Sequence, residues 1–265
     1  MPVPVSPHEP TGKQHPSKQS KAVVYEALTT KSLFFSLQDV QSHMHILRPN
    51  ELQLEYTRIM MGFLLYRPQP ARIVMIGLGG GSLAKFCYRY LPNAGIDVVE
   101  INSHVLALRD TFAIPADNHR FCVHLADGAE FVRRTRQKFD VLLADGFDVA
   151  GLPEALSTQQ YYDDCYRLLH PGGMLVANLH GPNTDIDGVL ARICASFHGS
   201  LLTVQDPEAT NRIAFAVKGD PKALLTMAGV RRPAAFDEHA WRNLVPSMAR
   251  VFLASRELAR NSAAA

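Results

Sequence analysis

Two aspartates, Asp145 and Asp148, follow the apolar run Val141-Leu142-Leu143-Ala144 and stand three positions apart. Carboxylates placed so closely can hold an ammonium group, and crowding them into a partly buried site raises the pKa of at least one. Alkylation of an amine needs a free nitrogen lone pair, so a carboxylate at that place serves as anchor and as base. Two further acids occupy comparable places. Glu100 closes the run Ile96-Asp97-Val98-Val99, and Asp127 follows Phe121-Cys122-Val123-His124-Leu125-Ala126 and precedes Gly128. Upstream lies Gly77-Leu78-Gly79-Gly80-Gly81-Ser82. Glycines there free the backbone for left-handed conformations and expose bare N–H groups to a ligand, and a following helix adds positive potential at its N-terminus. The spacing is GxGxG, with Ser82 where the dinucleotide fingerprint has its last glycine.

These residues need a scaffold that brings them together. The sequence alternates strand and helix, with strands expected over 73–76, 96–100, 121–125, 141–145 and 174–179 and helices over 83–91, 104–111, 129–136 and 158–169. That alternation implies an α/β fold, a mostly parallel sheet covered on both faces. Ligands in such sheets bind outside the carboxyl ends of the strands, where every residue named above falls. Glu100, about 20 residues past the glycine loop, is placed to accept hydrogen bonds from ribose hydroxyls. Asp127 is placed to bond an adenine amino group or to cap the next helix, two roles that are compatible. Asp148 also fits an Asp-Gly turn. Pro171-Gly172-Gly173 reads as a turn into the fifth strand. After a helix over 186–197, strands over 201–204 and 212–218 are joined by too short a link for a helix and must pair antiparallel. That ending is the mark of the S-adenosylmethionine-dependent transferase fold, Rossmann-like with an antiparallel C-terminal hairpin.

Residues 1–20 carry five prolines and few apolar side chains, the composition of a disordered arm. A small antiparallel β region is expected over 21–50, from segments at 23–28, 33–37 and 40–47. A helix is expected over 52–66, and the main domain with outer C-terminal helices over 51–265. A formal charge of +2 gives no reason to expect a nucleic-acid partner. The densest basic group, Arg133, Arg134, Arg136 and Lys138, is explained by the end of a helix. Cys87, Cys122, Cys165 and Cys194 show no CxxC spacing, so neither disulfides nor a zinc site is expected. No run approaches the roughly 20 apolar residues of a membrane span, no signal peptide is evident, and a cytoplasmic location is expected. His43 and His45 share a strand face but lack a third ligand, so no metal is expected. Ser82 and Ser157 lack triad partners. His180 falls near the crevice, and of Tyr161 and Tyr162 one is expected to pack inward and the other to line an acceptor pocket.

The chain resembles the spermidine synthase (polyamine aminopropyltransferase) family. The segments that carry the resemblance are Val74–Gly81, Val98-Val99-Glu100-Ile101, Ala126-Asp127-Gly128-Ala129-Glu130-Phe131, Asp140–Asp145 and Tyr161–Gly173. The resemblance implies an N-terminal β-sheet region, a homodimer, and aminopropyl transfer from an S-adenosyl sulfonium donor to a small-molecule amine acceptor. It implies donor contacts from Gly77, Gly79, Gly81, Glu100, Ile101, Asp127, Gly128 and Asp145, with Gln41 reaching in from the N-terminal region. Asp145 would be the catalytic carboxylate and Asp148 would help to hold the amine. The sequence departs from the family pattern in three places. Gly80 stands where the family loop carries aspartate, Glu55-Tyr56-Thr57 stands for a Tyr-His-Glu segment, and Asp145-Gly146-Phe147-Asp148-Val149 stands for an Asp-Ser-Ser/Thr-Asp-Pro loop. The donor is therefore left open between S-adenosylmethionine and its decarboxylated form. Methyl transfer to an unknown acceptor and a catalytically idle nucleoside-binding protein stand as alternatives, with an NAD-dependent dehydrogenase further off.

Overall fold

The computed structural model describes residues 22–34, 40–148, 151–181, 184–225, 227 and 231–264; the expected arm over 1–20 lies outside them. Strands β1 (Val23–Glu26), β2 (Thr30–Phe34) and β3 (Val40–His45) form an antiparallel sheet in the order β1-β2-β3. The second sheet has seven strands in the order β6-β5-β4-β7-β8-β10-β9. They are β4 (Arg72–Ile76), β5 (Gly95–Glu100), β6 (Phe121–Leu125), β7 (Phe139–Ala144), β8 (Leu169–His180), β9 (Leu201–Gln205) and β10 (Asn211–Val217). The first five are parallel, and β10 runs antiparallel to both β8 and β9.

The central strands are near-continuous apolar runs because both sheet faces are covered. One layer contains Ile73, Met75, Val98, Leu143 and Phe215, the other Val74, Ile76, Val99, Leu142 and Leu175. From β4 the chain winds outward through β5 to β6, then returns and builds β7 and β8 on the other side. Strand order therefore reverses between β4 and β7, and the loops leaving these two strands open side by side. Such a switch point leaves a crevice at the strand ends.

The helices are α1 (Glu55–Met60), α2 (Ser82–Tyr90), α3 (Ser103–Leu106), α4 (Gly128–Arg134), α5 (Gln159–Leu168), α6 (Ile186–Ser196) and α7 (Glu238–Ala264). Three expectations need correction. The helix expected over 52–66 is α1 followed by a 3-10 turn, Met61–Leu65. The helix expected over 104–111 ends after one turn as α3, with turn geometry beyond it. Pro171-Gly172-Gly173 is a bulge inside β8 rather than a turn before it. Leu169 pairs with Phe139 and Met174 with Val141, so four residues of β8 oppose Asp140 alone. Arg67 Nε donates to the Gly172 carbonyl at 2.7 Å, and Lys218 closes the other side through backbone hydrogen bonds with Gly172 and Gly173.

The C-terminal segment is dominated by the single long helix α7. It buries Ala240, Leu244, Met248, Val251 and Ser255, a spacing that keeps one face inward. Gly62 permits the close approach of this face, since a Cβ there would lie 2.7 Å from Val251 Cγ2. Ser247 Oγ on α7 donates to Glu55 Oε1 at 2.8 Å, so α7 braces the helix that carries Tyr56. The four cysteines are free thiols.

Candidate active site

A cavity of about 830 Å³ opens across the switch point between the loops after β4 and β7. It is lined by the glycine loop, by Glu100, Ile101, Asp127 and Gly128, by Asp145 through Asp148, by Tyr56 of α1, by Asn178 and His180 of β8, and by the turn between β9 and β10. The sequence-expected residues thus converge, with two reservations of place. Gly81, at φ +69°, does not border the cavity, and a Cβ there would meet Ile114 instead. Gln41 lies in β3 beside Ser42, which lines the cavity, and its own side chain lies outside the described residues.

The loop Gly77–Gly81 needs glycine for two different reasons. Gly77, at φ +95°, is pressed against the backbone that leaves β7: a Cβ there would sit 2.3 Å from the Asp145 carbonyl oxygen. Gly80 has no such backbone demand, but a Cβ would lie 2.4 Å from Ser42 Oγ and 2.8 Å from Ser42 Cβ. Ser42 Oγ in turn lies 3.2 Å from Ser82 Oγ at the start of α2. The space beside Gly80 is therefore filled by β3, and two hydroxyls occupy this part of the cavity wall.

Glu100 is buried and its carboxyl group is held by the loop itself. Leu78 N–H donates to Oε2 at 2.9 Å and Asn102 N–H donates to Oε1 at 2.8 Å. Burial pushes its pKa up, and backbone hydrogen bonds from Asn102, Leu78, Gly79 and Ile101 act against that rise. Asp127 is exposed and caps α4, its Oδ1 accepting from Glu130 N–H at 2.9 Å. Of its two expected roles the capping one is present, and the side chain still borders the cavity. Leu156 lies against Gly146, and a Cβ on Gly128 would meet Ile76 at 2.5 Å and Leu156 at 3.5 Å, so this end of the cavity is a narrow apolar slot.

Asp145 directly follows β7. Tyr56 Oη donates to its Oδ2 at 3.2 Å and Asn178 Nδ2 donates to its Oδ1 at 2.9 Å. Both oxygens accept, which describes the carboxylate form and fixes which way the Asn178 amide faces. Burial pushes the Asp145 pKa above the ordinary aspartate value, and the hydrogen bonds from Asn178 and Tyr56 and the neighbouring His180 pull it back. Tyr56 is itself pushed far up, first by burial and then by the Asp145 charge, so it remains a donor. Asn178 Oδ1, by contrast, is buried and has no hydrogen-bond partner within the protein. Leaving such an acceptor unmet costs about 1–3 kcal/mol.

The remaining polar groups here are largely engaged. Glu55 pairs with Arg58 at 2.7 Å and with Ser247. Asp206 accepts from the backbone and side chains of Thr210 and Asn211; burial raises its pKa, but these bonds prevail and hold it low. Phe147 packs edge-on to His180 with ring centroids 5.9 Å apart, forming an aromatic wall next to Asp145. Asp148 lies at the exposed rim, where its backbone pairs with Gly151.

Tyr161 and Tyr162 both pack inward and neither borders the cavity, which corrects the expectation that one would line an acceptor pocket. His43 bonds Ser32 and His45 accepts from Leu47 N–H; among the described residues no group of three ligands could hold a metal ion. Asn178, Ser42 and Asp206 were not singled out from the sequence. Asn178 had a readable signal, a lone amide in the apolar run Leu175-Val176-Ala177-Asn178-Leu179 close to a strand end.

A seven-stranded sheet with an antiparallel C-terminal hairpin, and a cavity joining a glycine loop to strand-end acids, defines a transferase of the S-adenosylmethionine-dependent fold. Two solved structures share it. A probable spermidine synthase from Corynebacterium glutamicum superposes with a TM-score of 0.65 at 21% identity, over 74% of this chain and 76% of that one. A spermidine synthase in complex with the transition-state analogue AdoDATO gives a TM-score of 0.57 at 20% identity, covering 86% and 85%. In sequence, the chain is 38% identical over 182 residues to a polyamine aminopropyltransferase of Chromobacterium violaceum, covering 68% of this chain and 69% of the relative. Residues 53–189 match the Spermine/spermidine synthase domain, and the chain belongs to that family.

Proposed function

We propose that the protein is an aminopropyltransferase that moves an aminopropyl group from the sulfonium of decarboxylated S-adenosylmethionine to a small amine. The observation that carries this reading is Asp145. A carboxylate with a raised pKa, oriented by Tyr56 and Asn178, stands in the same cavity as a glycine loop and Glu100. The loop amides and Glu100 would hold the nucleoside, with Asp127, Gly128 and Ile101 around the base. The amine nitrogen would sit beside Asp145, with Asp148 at the rim.

The reaction is a direct displacement. The amine lone pair forms the new C–N bond, the C–S bond breaks and its electrons go to sulfur, and a proton of the alkylated nitrogen passes to the Asp145 carboxylate. Alignment of two bound reactants supplies most of the rate. The relatives named polyamine aminopropyltransferase and the AdoDATO-bound structure support this choice of group. We extend it to a homodimer in the cytoplasm; sedimentation at several concentrations tests the first and fractionation the second. Incubation with S-adenosylmethionine or its decarboxylated form, each with a panel of mono- and diamines, followed by mass spectrometry, tests the activity. Aminopropyl adducts formed only with the decarboxylated donor, and reduced at least about 100-fold in Asp145→Asn, are expected. Methyl adducts from the intact donor would overturn the reading.

A further inference from the structure

A second cavity, of about 490 Å³, lies where the segment after β3 meets α2 and the start of α7. That volume is in the range of small-molecule sites. Its floor is apolar: Leu52, Phe86, Ala240 and Leu244 line it and are all buried. Its wall carries two carboxylates, Glu51 and Asp237, together with the Tyr90 ring. Asp237 accepts from Ala240 N–H at 2.8 Å and from Tyr90 Oη at 2.9 Å, and these bonds, the first above all, hold its pKa low. Burial, then the Asp237 bond and charge, push the Tyr90 hydroxyl up to about 12; the Glu51 charge adds to the rise and Arg89 opposes it. The phenol thus stays a neutral donor under the charge of both carboxylates, and this end of the cavity is electronegative. The cations beside it do not cancel that charge. Arg58 spends its guanidinium on Glu55 at 2.7 Å and on the Leu52 carbonyl at 3.2 Å. Arg48 meets Glu51 at 3.2 Å and His239 at 3.0 Å, but its side chain is half exposed. Exchanging one exposed cation for another costs little.

We propose that this cavity is a second binding site, which takes an aliphatic amine: the ammonium group sits by Glu51 and Asp237, and the carbon chain lies on the floor of Leu52, Phe86 and Leu244. The match is one of both halves. An anion would face two carboxylates, and a purely apolar guest would displace Arg48 or water from them without replacing the charge. His239 and Asn243 also bond Glu51, so that carboxylate is already held in place before a ligand arrives. The site takes the chemical class on which the transfer reaction acts, yet it is separate from the glycine loop and from Asp145, and an amine bound there is not alkylated. Binding needs no sulfonium donor and does not depend on the transfer reading.

The only tryptophan of the chain, Trp241, reports on this place. It meets Phe236 edge-on at 6.3 Å between centroids, and Phe236 in turn meets Tyr90 at 5.0 Å and Phe86 at 5.6 Å. Titration of the full-length protein with n-pentylamine, at constant ionic strength and without donor, should give a saturable change in tryptophan fluorescence. The same change is expected in Asp145→Asn, and n-pentanol, which keeps the chain and lacks the charge, should bind at least about 10-fold more weakly. Glu51→Gln and Asp237→Asn should each weaken the amine by about 10-fold, the worth of one charge-assisted hydrogen bond. Ala240→Met fills the cavity without touching either carboxylate and should abolish the change, which decides the matter should the charge variants fail to fold. No saturable change in wild type, an affinity unaltered in the folded cavity variants, or a change lost in Asp145→Asn overturns the inference. Failure of transfer to any amine, with this titration intact, overturns the transfer reading and leaves the second site standing.

Discussion

Lys85 on α2 is 1% exposed, yet it carries an ammonium group into the seam between β3 and the main sheet. Its Nζ donates to the Phe112 carbonyl at 2.7 Å and contacts Met44 Sδ at 3.0 Å. Burial lowers its pKa from 10.5 to about 7, with no carboxylate partner among the described residues to offset the cost. In the unfolded chain the group keeps its ordinary value, so between about pH 7 and 10.5 the unfolded state binds the extra proton and stability rises with pH. Below about pH 7 the full penalty is present, and above about 10.5 it is gone. At 1.36 kcal/mol per pH unit, the gap amounts to about 4–5 kcal/mol at neutral pH. Lys85→Met keeps the apolar stem and removes the charge, but leaves the Phe112 carbonyl without its donor, at a cost of about 1–3 kcal/mol. The variant should therefore be more stable than wild type by about 2 kcal/mol near pH 7, and the advantage should vanish and reverse by about pH 10.5. Paired urea unfolding of the two proteins across that range measures the difference. A Lys85→Met variant no more stable than wild type near neutrality, or an advantage that does not vary with pH, would refute the reasoning.

Two further perturbations follow from the cavity wall. Gly80→Asp should destabilise the protein by about 1–3 kcal/mol, because its Cβ collides with Ser42, and adding Ser42→Gly should recover most of that loss in the same unfolding assay. In Tyr56→Phe the acid limb of the kcat/KM profile should move to higher pH, since removing this donor deprives the Asp145 carboxylate of a stabilising hydrogen bond. An acid limb that stays put would show that another group titrates there.

The scaffold was legible because its signals are local and repeated. The strand, loop and helix at Arg72–Tyr90 can be read from an apolar run meeting a glycine cluster, and the antiparallel placing of β9 and β10 from a link too short for a helix. What failed was decided by distant partners. Pro171-Gly172-Gly173 has the chemistry of a turn, but Arg67 and Lys218 hold its carbonyl and N–H groups and carry the strand through as a bulge. The helical pattern past Leu106 gives way to turns, although apolar spacing continued. In the site, acids at strand ends announced themselves by position. Tyr56 did not, because its role exists only where α1 meets β7 in space, and the one trace of Asn178 was an amide in an apolar run. Tyr161 and Tyr162 misled for the converse reason: they sit near the rim in sequence, yet α5 turns both rings into the core.

The contact between Gly80 and Ser42 gives evolution of this loop a direction. A lineage exchanging glycine for an acid at position 80 cannot make that change first without forcing β3 away from the loop. It can shorten Ser42 first at small cost and then accept the acid. The reverse route is likewise ordered: the acid must be lost before a serine can fill the vacancy. A loop residue and a strand residue from the other sheet thus constrain each other, and what position 80 accepts is set by position 42.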